Sequence, residues 1–94
     1  MKKYMATMWG TLDEVYCGCV GDHWVQVRIV LPGGLTIRIR AVIGHLTTVA
    51  RGIERVDPSN LREGESVELS YHCGRDGFLE AETIYVHPDE ATVS

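Results

Sequence analysis

Five side chains able to bind a metal or act as nucleophile and base fall in two short stretches, CGCVGDH at residues 17–23 and YHCGRDG at residues 71–77. Cys17, Cys19, His23, His72 and Cys73 are the donor types of a zinc centre, for which four thiolate or imidazole ligands suffice. The spacing opposes that use. Structural zinc sites commonly leave roughly two to four residues between paired cysteines, and Cys17 and Cys19 are separated by one. His72 and Cys73 are neighbours on a segment that alternates as a strand, so their side chains leave on opposite faces. The same opposition deprives a Cys73 thiolate of the adjacent base that covalent catalysis requires. No metal, no cofactor and no catalytic residue is therefore expected. Cys17 and Cys19 read as loop cysteines and Cys73 as a buried apolar one. Three cysteines cannot all pair within one chain, which fits a reducing, cytoplasmic setting.

The acidic pairs Asp13/Glu14 and Glu80/Glu82 are the remaining candidates for proton transfer. Adjacent strand residues face opposite ways and alternate ones share a face, so only Glu80 and Glu82 are expected to converge. Without an apolar pocket to raise a carboxyl pKa, they read as a solvated strand face. The glycines of LPGGL and GRDG do not join a strand to a helix, and are turn residues rather than a phosphate cradle.

These residues must be positioned by one small domain. The 94 residues, with 45% apolar residues and a formal charge of −4, suit a single folded unit spanning 1–94, its ordered part about 5–87 and its ends loose. Lys2 and Lys3 are followed by no apolar run of a secretory leader, and no segment approaches the roughly 20 residues of a membrane helix, so no membrane partner is expected. Charge is divided along the chain: Arg28, Arg38, Arg40, Arg51 and Arg55 stand against Glu54 alone between residues 24 and 55, whereas acids dominate from residue 56 onward. Such asymmetry lets an acidic protein present a local positive face.

Periodicity supplies the elements. Met5 to Tyr16 reads as a first strand with a bend or bulge at Gly10. His23–Leu31 and Leu35–Ile43 alternate around Pro32-Gly33-Gly34 as a β-hairpin, with Trp24, Gln26, Arg28, Arg38 and Arg40 on its outward face. Leu46, Val49, Ala50, Ile53 and Val56 recur at three- and four-residue spacing, the stripe of one amphipathic helix. Ser66–Cys73 and Phe78–Val86 form a closing hairpin. Val27, Ile29, Ile37, Ile39, Val49, Ile53, Val67 and Leu69 are the expected core.

Strand, strand, strand, helix, strand, strand, together with LREGESVELSYHCGRDGFLEAETIYV at residues 61–86, resembles the oligonucleotide/oligosaccharide-binding (OB) fold. The segment is similar to the last hairpin of single-stranded-DNA-binding and primosomal modules. The resemblance implies a mainly β, five-stranded Greek-key barrel with one α-helix between strands 3 and 4, and a binding face on strands 2 and 3 flanked by the two cysteine-bearing loops. On that basis the expected function is non-enzymatic binding of single-stranded DNA or RNA, with Trp24 stacking on bases, Arg28, Arg38 and Arg40 contacting phosphates, and Gln26 among them. The alternative is a protein-interaction or homodimerising module in which Trp24, Val30 and Val42 form an apolar patch.

Overall fold

The computed structural model describes residues 5–18, 22–74 and 77–87. Seven strands follow one another: β1 (Ala6–Cys17), β2 (His23–Val30), β3 (Thr36–Ile43), β4 (Thr48–Arg51), β5 (Glu54–Arg55), β6 (Ser66–Cys73) and β7 (Leu79–Val86). The expected hairpins are present. β2 and β3 pair antiparallel from His23↔Ile43 to Val30↔Thr36. Gly33 and Gly34 turn the chain between them at φ 95° and 91°, a region open to glycine without steric cost. β6 and β7 pair from Val67↔Val86 to Cys73↔Leu79.

β1 is the strand on which the barrel turns. Its first half pairs with β6 from Ala6↔Tyr71 to Thr11↔Ser66, and its second half pairs with β2 from Thr11↔Arg28 to Cys17↔His23. Gly10 sits at the changeover, where a Cβ would lie 2.4 Å from the Arg28 carbonyl oxygen and 2.7 Å from Val27 Cγ1. Only glycine lets the two backbones approach that closely. A parallel contact between β3 and β7, Val42↔Glu80, closes the circuit. The result is a closed mixed barrel of five strands in the order β1-β2-β3-β7-β6, with β4 and β5 outside it. This architecture is compatible with an OB-like barrel. Leu12, Val25, Val27, Ala41, Val67, Leu69, Ile84 and Val86 fill the interior, because inward residues at period two from every strand converge there. Ile37 and Ile39 are half-buried against this cluster.

The expected α-helix does not form: among the described residues there is none, and residues 46–56 make a β-hairpin. β4 pairs antiparallel with β5 through Arg51↔Glu54 and parallel with β7 from Thr48↔Thr83 to Arg51↔Val86. Gly52, at φ 64°, is the first residue of the two-residue turn Gly52-Ile53, as a type II′ hairpin asks. The apolar stripe of the supposed helix is consequently split. Val49 and Ala50 are buried, Leu46 is 91% exposed, and Ile53, expected in the core, is 100% exposed. Thr47, Thr48 and Val49 are β-branched residues with intrinsic strand preference, and β7 offers them an unpaired edge. A ladder of long-range hydrogen bonds therefore overrides a local three- and four-residue pattern. The only helical turn among the described residues is 3₁₀, Pro58–Asn60, capped by the Asp57 carboxylate on the Ser59 N–H. No helix of the described residues is long and apolar enough to cross a membrane.

A salt bridge fastens this added hairpin to the barrel. Arg51 donates from Nε and Nη2 to the two oxygens of Glu65, each at 3.0 Å, and from Nη2 to the Asn60 carbonyl at 2.7 Å. Burial works to raise the Glu65 pKa, but the Arg51 hydrogen bonds, the Arg62 N–H and the charges of both arginines outweigh it and hold the carboxyl below its ordinary value. A lowered native pKa means that the contribution is complete above the ordinary value of 4.5 and disappears as pH falls through the native one. Glu65→Gln should thus lower stability near neutrality by about 1 kcal/mol. It should also flatten the loss of stability on acidification, as denaturant melts between about pH 6 and pH 3 would read. An acid slope unchanged from the parent would count against this account.

Candidate binding face on strands β1 to β3

The alternation that buries Val25, Val27 and Ile29 turns Trp24, Gln26 and Arg28 outward, and the same rule on β3 turns Arg38, Arg40 and Val42 outward. Register then stacks them in rows across three strands. Thr11, Arg28 and Arg38 form one row, Glu14, Gln26 and Arg40 the next, and Tyr16, Trp24 and Val42 the third. All five residues expected at the site share this face.

An acid that the sequence pattern had set aside lies at its centre. The β1–β2 register slips between Leu12 and Glu14, so Asp13 is the extra residue of a β-bulge, a device that re-aims a side chain. Its Oδ2 accepts from Gln26 Nε2 at 2.9 Å and from Arg38 Nε at 3.2 Å, and its Oδ1 lies 4.0 Å from Arg28 Nη1. The Gln26 hydrogen bond is the main cause holding the Asp13 pKa below its ordinary value; Arg38 and the charge of Arg28 add to it against some desolvation. The expectation that Asp13 and Glu14 face opposite ways is corrected accordingly. A signal for the bulge exists in the sequence: inward residues at 8, 10 and 12 are followed by Val15, one position later than alternation requires.

Trp24 is engaged on both sides. The Tyr16 ring stacks on it at 5.4 Å between centroids and 17° between planes, and the Arg40 guanidinium lies 4.0 Å over its centroid. Tyr16 and Arg40 come from strands on opposite sides of β2, so they cover opposite faces of the indole. Arg40 is held there by a 3.3 Å hydrogen bond from Nη2 to Gln26 Oε1. Beyond this stack, Trp24, Arg40 and Val42 border a cleft of about 270 Å³ whose far wall is Phe78 and Leu79. Phe78 is 67% exposed and had no place in the expected site. Its position follows from the β3–β7 closure, which no local pattern announces.

The two cysteine-bearing segments are hairpin connections at this end of the face. Gly18 N–H donates to the Asp22 carbonyl at 3.0 Å and Gly74 N–H to the Phe78 carbonyl at 2.7 Å. Cys19 lies outside the described residues. Cys17 and Cys73 are both free thiols and both exposed, which corrects the expectation of a buried Cys73. Cys73 is the last residue of β6, past the inward residues Val67, Leu69 and Tyr71 that reach the core. The β6–β7 ladder carries a second bulge: Ser70 pairs with Thr83 but Tyr71 with Ala81, leaving Glu82 as the extra residue of β7. Glu80 and Glu82 do converge, and they do so on His72. Glu80 Oε1 lies 3.1 Å from Nε2, and Glu82 lies against Nδ1. Carboxylates on opposite ring nitrogens flank the imidazole rather than surround a common point. Among the described residues no group of three or more His, Cys, Asp or Glu is placed to hold a metal ion.

The fold and face together define a small closed β-barrel with an aromatic and guanidinium-bearing outer sheet. Compared with family models, with curated proteins and with solved structures, the chain matches none.

Proposed function

We propose that the chain is a non-enzymatic binding module that holds single-stranded DNA or RNA across the outer face of β1, β2 and β3. The observation that carries this reading is the joining of Arg28, Arg38 and Arg40 in adjacent rows with the Tyr16–Trp24 stack. Guanidiniums neutralise phosphates while aromatic rings accept bases of any sequence. Because Trp24 is covered on both faces, bases stack on the outer side of Tyr16 and on Phe78, and Arg40 keeps the indole in place beside them. Asp13 already neutralises part of the charge of Arg28 and Arg38, so affinity is modest and depends on salt.

Fluorescence anisotropy with labelled oligothymidine and oligouridine at about 20 mM salt tests it. Saturable binding in the micromolar range, weakened by Arg40→Ala and by added salt, is expected. No binding at roughly 100 µM protein would remove the proposal. A sharper result is expected from Asp13→Asn. Removing the anion should release Arg28 and Arg38 toward phosphate, tighten binding by about three- to tenfold at low salt and steepen the salt dependence by about one counterion. Weaker binding by this variant would mean that Asp13 orients the guanidiniums instead of competing for them.

One observation favours a second reading, a protein-interaction module. Among the described residues Val42↔Glu80 is the sole register pair between β3 and β7, so there Thr36–Ala41 have a strand neighbour on β2 alone, and Val30 and Leu35 are exposed at the same hairpin tip. An open edge of this kind accepts another strand. Arg38 and Arg40 along it disfavour pairing of two copies and suit an acidic partner. Light scattering that finds a dimer at high concentration would argue for the edge as a self-association surface.

A further inference from the structure

A cleft of about 490 Å³ opens at the end of the barrel where β2 and β3 meet the β4–β5 hairpin, lined in part by His23, His45, Thr48 and Arg55. Among the described residues no carboxylate lines it, in a chain whose acids outnumber its lysines and arginines. Arg28, Arg38 and Arg51 are each paired with a carboxylate, whereas Arg55 has no such partner among the described residues. Its backbone is nonetheless fixed, through the Ala50↔Arg55 pair and the Val56 N–H donating to the Val49 carbonyl at 3.0 Å. Asp57, close enough to His23 for the two charges to interact, is committed elsewhere: its Oδ1 accepts from the Ser59 N–H at 3.0 Å and the Ser59 hydroxyl at 2.9 Å. His23 Nδ1 is buried without a hydrogen-bond partner.

We infer that this cleft is a site for a phosphate anion, with Arg55 as the forked donor and the His23 and His45 rings and the Thr48 hydroxyl as additional donors. A planar guanidinium matches two phosphate oxygens at once, and a concave wall whose described lining holds cations and no carboxylate concentrates their field. The group can arrive as free phosphate or at the end of an oligonucleotide, and the two sources are separable.

Inorganic phosphate, titrated against chloride at matched ionic strength and followed by ¹H–¹⁵N correlation spectra, is expected to give saturable shifts at His23, Thr48 and Arg55 with a Kd near about 1 to 10 mM. Arg55→Gln, whose spectrum elsewhere reports an intact fold, should weaken that binding about tenfold, and His45→Gln by less. Shifts that stay linear to roughly 50 mM, or that persist unchanged in Arg55→Gln, would overturn the site. A 5′-phosphorylated oligonucleotide binding several-fold tighter than its hydroxyl-terminated counterpart, with the difference lost in Arg55→Gln, would assign the terminal phosphate as the ligand; equal binding of the two would assign free phosphate. The sheet-face proposal is independent of the first arm. Phosphate binding without oligonucleotide binding would sink that reading alone, and the reverse would sink this one alone.

Discussion

Gly10→Ala should be among the most damaging single-atom additions to this protein. The new methyl would sit 2.4 Å from a backbone oxygen of β2, with Val27 Cγ1 at 2.7 Å and Ile29 Cγ1 at 3.0 Å behind it. A flexible side chain can swing away from such a contact, but the Arg28 carbonyl belongs to a strand paired on both sides. Relief requires β1 and β2 to separate where β1 passes from one neighbour to the other. Overpacking of this kind costs on the order of 3 kcal/mol, which in a domain of this size lowers Tm by roughly 10 to 20 °C. Gly44→Ala is the matched control, since nothing lies within 4 Å of the added carbon, and it should change stability by less than about 0.5 kcal/mol. Thermal melts of the two variants that coincide would show that β1 does not cross β2 as described. Because Arg28, Arg38 and Asp13 meet just beyond this crossing, Gly10→Ala should also disturb the binding face.

The second large effect contrasts two isoleucines. Ile84 is fully buried at the centre of the barrel, opposite Leu69 on β6 and Val49 on β4. Truncation to alanine removes three methyl or methylene groups from a site whose walls are three paired strands that cannot collapse inward. Ile84→Ala should cost about 3 to 5 kcal/mol in denaturant melts. Ile53 is as apolar in sequence and fits the helical stripe as well as its neighbours do, yet it projects wholly into solvent from the Gly52-Ile53 turn. Ile53→Ala should change stability by less than about 0.5 kcal/mol. Equal and large losses would restore an amphipathic helix over residues 46–56. That outcome would also dissolve the Arg55 cleft, because the placement of Arg55 depends on the hairpin.

The outer surface of the barrel has a charge logic that follows from its two bulges. Asp13 on β1 and Glu82 on β7 are each the extra residue of a bulge, and each carboxylate is turned onto a cationic or basic partner, the Arg28–Arg38 pair and His72 respectively. Three guanidiniums in neighbouring rows would repel one another in a sheet. A shared carboxylate between two of them relieves that repulsion in the free protein, and it competes directly with any phosphate that approaches. The same residue thus stabilises the unliganded face and sets its affinity, which is why Asp13→Asn separates the two roles.

Much of the barrel was determined by the sequence alone, and the reason is the range of the signals. Alternation at period two in residues 23–31 and 35–43 and a Pro-Gly-Gly turn act over a few residues, so the central hairpin, the outward set Trp24, Gln26, Arg28, Arg38 and Arg40, and the closing hairpin are all legible without knowing any partner. Buried positions such as Val27, Ile29, Val67 and Leu69 follow from the same alternation. What only the tertiary structure decided are features that depend on a distant neighbour. Residues 46–56 satisfy a helical period, and they become a hairpin because β7 presents an open edge to β-branched residues there. The Ser70–Tyr71 register slip sets Glu82 beside His72, and the Leu12–Glu14 slip places Asp13 among the arginines. Phe78 joins Trp24 because β3 closes onto β7. A local pattern states which face a side chain takes, whereas register and closure are settled by the strand across from it, tens of residues away in the chain.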